Sequence, residues 1–340
     1  MTPLPDRPVR SVPNLRLSEI GFGASTLGNL HRAMTDDDAG RVVQHAWDRG
    51  IRYFDTAPHY GLGLSERRLG RALAEHPRDE YVVSTKVGRL LEPHPHPTEL
   101  DDDGFVVPGD LRRVWDFTPD GVRRSIEASL VRLGLDRVDI AFVHDPDLCA
   151  PDAGRAGLAA LAELRAQGVV RAIGVGTNAP ENVPGLFTDG HADVVMVAGR
   201  YTLLEQGGLA SALEPARAGG VSVVVAGVFN SGLLSKPWPG DDARYEYAQA
   251  PAATIERARA LATVCEKHGT TLPAAAIAFP LQHPAVVGVV LGMRTAEQVD
   301  ANLERYAGGV PGELWDELAD AGLLDGPLLD GHRAVGASTA

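Results

Sequence analysis

Cysteine is nearly absent: Cys149 and Cys265 are the two in 340 residues, and neither sits in a C-x-x-C or His-rich spacing. So sparse a set builds no disulfide framework and no thiolate metal centre, and free thiols are expected. Positive charge is also short. Lys and Arg number 32 against 45 Asp and Glu, a formal net charge of -13, and no basic cluster stands out. That balance argues against nucleic acid or an anionic membrane surface as a partner. No apolar run approaches the ~20 residues of a bilayer span, and the opening MTPLPDRPVRSVPNL holds no uninterrupted signal-type stretch. A soluble, cytoplasmic protein is expected. A Rossmann fingerprint is missing too, since neither GFGAST nor GLGLSE completes G-x-G-x-x-G.

What is present is a recurring unit: an amphipathic stretch ending in Arg or Lys, then Gly, then a short β-branched apolar run, then small polar residues. It reads as VVQHAWDRG-IRYFDTA, LAELRAQGVV-RAIGVGTN and SALEPARAGG-VSVVVAGV. Cations and a terminal Gly close helices, and buried parallel strands are continuous apolar runs. Strands are expected near 17–21, 51–55, 81–86, 138–143, 171–175, 193–197, 221–226 and 286–290, with helices at 36–49, 65–75, 119–133, 155–167 and 254–268. This alternation fits a closed (β/α)8 TIM barrel better than an open doubly wound sheet. No linker divides the chain, so one domain over 1–325 is expected, with 326–340 small, polar and mobile. Residues 87–117 and 227–250 are too long for plain connections; both follow strands, which places them over the carboxyl-end face as lids or binding loops.

In such barrels chemistry sits where strands end. The second strand ends at Asp55, the third at Lys86, the fourth at His144 and the fifth at Thr177 and Asn178. Each alone has an ordinary explanation: a turn acid, a solvated lysine, a satisfied core histidine. Together they put an acid, an amine, an imidazole and an amide on one rim. Asp55 would hold Lys86 charged against desolvation, and the ammonium would pull the phenol of Tyr60, on the next loop, below the usual ~10. Tyr60 then serves as general acid or base near neutral pH, and His144 orients the reacting oxygen.

With these residues assembled, the chain resembles an aldo-keto reductase over roughly residues 10–310, through GFG at 21–23, FDTAPHYG at 54–61, STK at 84–86, SLVRLGLDRVDI at 129–140, VHDP at 143–146, IGVGTN at 173–178 and GMRTAEQVDANL at 292–303. The resemblance implies a catalytic tetrad of Asp55, Tyr60, Lys86 and His144, and hydride transfer with NADP or NAD held across the barrel mouth. By position it implies that Gly23 lines the cofactor, that Thr177 and Asn178 bind the carboxamide, and that Phe229, Asn230, Ser231 and Leu233 clasp the pyrophosphate. Gly292, Arg294, Gln298 and Asn302 would surround the adenosine end. Arg294 would suit a 2′-phosphate, whereas Gln298 stands where NADP-preferring members often carry Arg. Ala198 replaces a Gln common in the family, and Ala226 the aromatic that usually stacks on nicotinamide. AGRYTLLEQ and FNSGLL resemble the branch of aldose and pyridoxal dehydrogenases. The implied substrate is a small carbonyl or sugar, an aldose of the L-fucose or D-threo type oxidised at C1 to the lactone, or an aldehyde reduced in reverse.

His59 and Trp115 are substrate-contact candidates, and Trp238, Tyr245 and Tyr247 lie with Trp115 on the long spacers. The acids at 36–38 read as a helix start, those at 101–103 as a solvated loop, and HPHP at 94–97 as an extended segment lacking a third ligand, so no metal is expected. Two other readings remain: Lys86 as a Schiff-base nucleophile, and a nicotinamide-binding regulatory subunit with little turnover.

Overall fold

The computed structural model describes residues 4–150, 152–179, 185, 191–207, 209–246 and 248–324, so Tyr247 and the tail 326–340 lie outside the described residues. Strands β1 (Ile20–Gly23), β2 (Tyr53–Asp55), β3 (Val82–Val87), β4 (Ile140–His144), β5 (Ala172–Thr177), β6 (Val194–Ala198), β7 (Ser222–Ala226) and β8 (Val286–Gly292) form a closed parallel barrel, each pairing with its neighbour in the chain and β8 returning to β1. This is the (β/α)8 barrel. Around it run α1 (Asp36–Asp48), α2 (Leu64–Leu73), α3 (Pro119–Leu133), α4 (Ala153–Ala166), α5 (Leu209–Ala218), α6 (Ala252–Lys267), α7 (Leu272–Leu281), α8 (Ala296–Ala307) and α9 (Gly312–Asp320).

Local chemistry sets the helix ends. Thr118 caps α3 by accepting from Gly121 N–H, Pro119 occupies the first turn, and Gly134 closes it at φ 66. Thr35 likewise caps α1, and of the acids behind it Asp36 is drawn off to pair with Arg68 and Arg71.

The first strand begins later than expected. Arg16–Ser18 pairs antiparallel with Asp6–Pro8, so residues 17 and 18 belong to an N-terminal hairpin. That hairpin puts Val9, Leu15 and Leu17 in the same apolar cluster as Tyr53, Ile140, Phe142, Val194 and Val224, closing the amino end of the barrel interior. A larger cluster, including Phe54, Ala141, Val143, Ile173 and Val195, packs the strands against the helices. The two memberships alternate along each strand because side chains point to opposite faces with period two. Tyr53 and Asp55 therefore share the inner column of β2, Val82 and Lys86 that of β3, and Ile140, Phe142 and His144 that of β4. In these three columns the interior apolar side chains stop short of the mouth, and Asp55, Lys86 and His144 finish them.

The first glycine of the G-V-G in β5 follows from spacing. A Cβ at Gly174 would stand 1.6 Å from the carbonyl oxygen of Val194 on β6. Gly174→Ala is expected to cost about 2 to 3 kcal/mol, as overpacking against a fixed backbone does. Urea unfolding checks it; a loss under about 0.5 kcal/mol would show that the strands part freely.

Candidate active site

Asp55 is buried and its Oδ2 accepts from Lys86 Nζ at 2.7 Å, while Oδ1 accepts from Ser84 Oγ at 2.7 Å. Ser84 in turn contacts Tyr53 Oη at 3.0 Å. The ammonium also donates to the Thr56 carbonyl at 2.9 Å and lies 4.8 Å from the centroid of the Tyr60 ring. Asp55 and the phenolic oxygen together hold the Lys86 pKa above its ordinary value, although burial works against them.

The Tyr60 phenol runs opposite to the sequence expectation. Burial pushes its pKa up, and the pull of Lys86 only partly offsets this, with Asp55 and Asp145 adding to the rise. The cause is the spacer 87–117. It is an antiparallel hairpin, Arg89–Thr98 against Gly109–Trp115, and the segment between its strands brings Phe105 over the site. Phe105 is buried with Leu62 and Val107, and its ring lies 6.1 Å from that of Tyr60. Tyr60 is thus a neutral phenol, ready to donate a proton.

His144 closes the inner column of β4, its ring edge-on to Tyr60 at 6.1 Å and to His59 at 5.5 Å. Burial, then Arg89 and Lys86, lowers its pKa well below the ordinary value, so the imidazole is uncharged. Its Nδ1 is buried without a partner among the described residues, and its Nε2 lies 3.5 Å from Asp145 Oδ2.

All four open into one mouth cavity of about 790 Å³, lined also by Gly23, His59, Thr177, Asn178, Phe229, Asn230, Ser231 and Gly292. Ala198 and Ala226 end the inner columns of β6 and β7 there, leaving open the space a larger side chain would fill. Five sequence candidates are not brought to this lining. Leu233 is buried in the core, its N–H donating to the Asn230 carbonyl. Arg294 donates to the carbonyls of Leu30 and Arg32, stapling the loop after β1 to the loop after β8. Gln298 accepts from Arg294 N–H while its own N–H is taken by the Thr295 cap, and Asn302 is buried, accepting from Arg305. Trp115 also stands off the cavity, its ring 4.5 Å from the Arg89 guanidinium and stacked on Phe117. On the other spacer, Tyr245 donates to Glu205 and Trp238 is exposed.

The sequence pattern of the Aldo/keto reductase family matches residues 19–318. The chain belongs to that family. D-threo-aldose 1-dehydrogenase from a Pseudomonas species is 48% identical over 324 residues, spanning 94% of this chain and 98% of that one. Pyridoxal 4-dehydrogenase from Microbacterium luteolum is 37% identical over 330 residues, 91% of this chain and 95% of the other. Among solved structures, a glycerol dehydrogenase from Gluconobacter oxydans has a TM-score of 0.73 at 26% identity, covering 95% of this chain and 98% of its own. The holo form of an aldo-keto reductase from Bacillus halodurans has a TM-score of 0.71 at 24% identity, over 97% and 99% of the two chains, a likeness of fold alone.

This aldo-keto reductase is therefore an oxidoreductase, and its site holds residues that the sequence reading passed over. Arg89 and Asp145 form a buried ion pair beside His144. Burial lifts the Asp145 carboxyl and lowers the Arg89 guanidinium, and each partly offsets the shift of the other. Arg113 pairs with Asp101 at 2.6 Å and Asp103 at 2.9 Å, so the acids at 101–103 are not merely solvated: the facing hairpin strand supplies their cation. The signal was available, since Arg89 follows Lys86 by three residues and Asp145 follows His144 directly. Nothing in the sequence said that the two positions meet.

Proposed function

We propose that this protein oxidises an aldose at C1 to the lactone with a nicotinamide dinucleotide, and reduces the corresponding carbonyl in reverse. The observation that carries the reading is the Lys86 ammonium set between the Asp55 carboxylate and the Tyr60 phenol in a cavity that His144 also lines. The 48% identity to a D-threo-aldose 1-dehydrogenase supports the aldose class. When bound, the nicotinamide supplies hydride chemistry. Residues for holding it are at hand: Thr177 and Asn178 at the end of β5, Asn230 and Ser231 on the loop after β7, and Gly23 and Gly292 at the rim. Asn230 fits such a role because its Nδ2 donates to the Gly199 carbonyl at 3.2 Å while its buried Oδ1 has no donor among the described residues, which a ligand donor would supply.

In this reading Tyr60 takes the anomeric hydroxyl proton during oxidation and returns it during reduction. Lys86 steadies the phenolate, and His144 hydrogen-bonds the reacting oxygen. Because Lys86 is held protonated by Asp55, it is a poor amine nucleophile, which weighs against Schiff-base chemistry. Arg294 gives two of its five N–H donors to backbone carbonyls and keeps others that a 2′-phosphate could take, so the reading holds for NAD or NADP. The test is a screen of both dinucleotides against L-fucose, D-arabinose, other aldoses and pyridoxal, followed by reduced-nicotinamide absorbance. Turnover of aldoses with at least one of the two dinucleotides is expected. Activity on pyridoxal with none on any aldose would replace the substrate.

A further inference from the structure

We infer that the wall of the cavity formed by Arg89, His59 and Asp145 is a charge-balanced hydroxyl-reading surface, which selects uncharged polyhydroxylated substrates and turns away anionic ones. The inference rests on the cavity being the carbonyl site, but not on which aldose is used.

Arg89 begins the hairpin opposite Trp115, and Gly88 before it holds φ +101, where an added Cβ would strike the Phe117 ring at 2.0 Å. This bend turns the guanidinium back into the cavity. There Nη2 pairs with Asp145 Oδ2, Nη1 lies 3.2 Å from His59 Nδ1, and the Trp115 ring covers the outer side. One planar group thus joins the residue before Tyr60 to the residue after His144. Its fork geometry permits this, whereas an ammonium would serve as a point charge.

The contact fixes a tautomer. A guanidinium has only donors, so His59 Nδ1 accepts and the ring proton resides on Nε2. No protein acceptor among the described residues takes that N–H, and His59 lines the cavity beside Tyr60. It is therefore a donor directed by Arg89, placed for a hydroxyl oxygen next to the reacting carbon. Asp145 and Asp103, which also line the cavity, supply acceptors for hydroxyl protons.

The cations on this side are each paired. Lys86 is matched by Asp55 and Arg89 by Asp145, while Arg113 is shared by Asp101 and Asp103, which leaves one acid in excess. Among the described residues no cation on this wall lacks its carboxylate, so a phosphate or carboxylate on the substrate would meet Asp55, Asp103 and Asp145 and no unmatched positive group. A neutral polyol finds both donors and acceptors. Arg89 and Asp145 are here positioning residues, which act through His59 and through charge balance.

The test uses matched pairs reduced by the full-length enzyme: glyceraldehyde against propanal, and glyceraldehyde 3-phosphate against glyceraldehyde. In Arg89→Met the ratio of kcat/KM for glyceraldehyde over propanal is expected to fall by about tenfold or more, the size of a lost hydroxyl-recognition contact. A ratio equal to wild type, however far both rates drop, would overturn the proposal, because a merely structural role lowers both alike. In Asp145→Asn the unmatched Arg89 should raise the ratio for the phosphorylated over the free aldehyde by about tenfold, and an unchanged or lower ratio would count against charge balance. Should Arg89→Met fail to fold, Arg89→Lys carries the first arm: a lowered ratio supports the proposal and a wild-type ratio rejects it. Failure of the wild type to oxidise any aldose would remove the proposed substrate and leave these ratios readable.

Discussion

Tyr60→Phe is expected to fold and bind cofactor as the wild type does while losing about 10²- to 10⁴-fold in turnover, the usual contribution of a positioned proton-transfer group. The substitution removes one oxygen and leaves the packing with Phe105 and Leu62 in place. Cofactor fluorescence and thermal unfolding check the first part, and steady-state rates in both directions the second. Near-normal turnover would reject Tyr60 as the proton-transfer group. The raised pKa of Tyr60 adds a sign. Oxidation needs the phenolate, so its rate should climb by about tenfold per pH unit through the range below that pKa, from about pH 7 to 9. Reduction uses the neutral phenol, so its rate should stay level over the same range. The groups setting this are the burial under Phe105, then Lys86, Asp55 and Asp145. An oxidation profile that levels off below about pH 8 would show that Lys86 outweighs burial after all.

Asp55→Ala should destabilise the fold by about 3 to 5 kcal/mol at neutral pH, because it strands a buried ammonium. Lys86 would keep only the Thr56 carbonyl and the Tyr60 phenol, and Ser84 would lose its acceptor. The pH dependence separates this from a simple packing loss. In the wild type the Lys86 pKa is raised above its unfolded value, so its contribution is fully present below about 10.4 and is lost only as pH climbs through the higher folded value. Without Asp55, burial dominates and the folded pKa falls below the unfolded one. The unfolded state then binds more protons, and stability rises with pH. Urea unfolding at about pH 6 and about pH 9 should show the deficit shrinking at the higher pH. A deficit constant between the two would mean that Lys86 remains charged without its partner. Turnover should fall in the same variant, since the ammonium steadying Tyr60 has lost its anchor.

The barrel was legible because its signals are local. The helices α1, α3, α4, α5, α6 and α8 end in a cation and Gly, most of the buried strands are β-branched runs, and the order of such units admits few closures. Asp55, Lys86 and His144 were legible for the same reason, since each ends a run that the sequence shows. The misplaced start of β1 was a different case: RLS at 16–18 has strand character, and only the pairing with Asp6–Pro8 assigns it to the hairpin.

Contacts between distant segments were decided by tertiary structure alone. The sequence sets Lys86 near Tyr60 and so suggests an acidic phenol, yet the hairpin segment that buries Tyr60 lies more than forty positions away, Phe105 against Tyr60. Desolvation depends on everything packed around a group, and no spacing reveals it. Arg294 and Gln298 read as cofactor contacts by position, and no spacing shows that Arg294 also reaches the carbonyls of Leu30 and Arg32 while Gln298 accepts from Arg294 N–H. Likewise Arg89 and Asp145 meet only because β3 and β4 are neighbours in the closed sheet. The sequence by itself determined which groups stand at the barrel mouth, through periodicity and helix-end chemistry. Their protonation states, and which of them remain available to a ligand, were decided by the folded surroundings, because burial and partner choice belong to the packed whole.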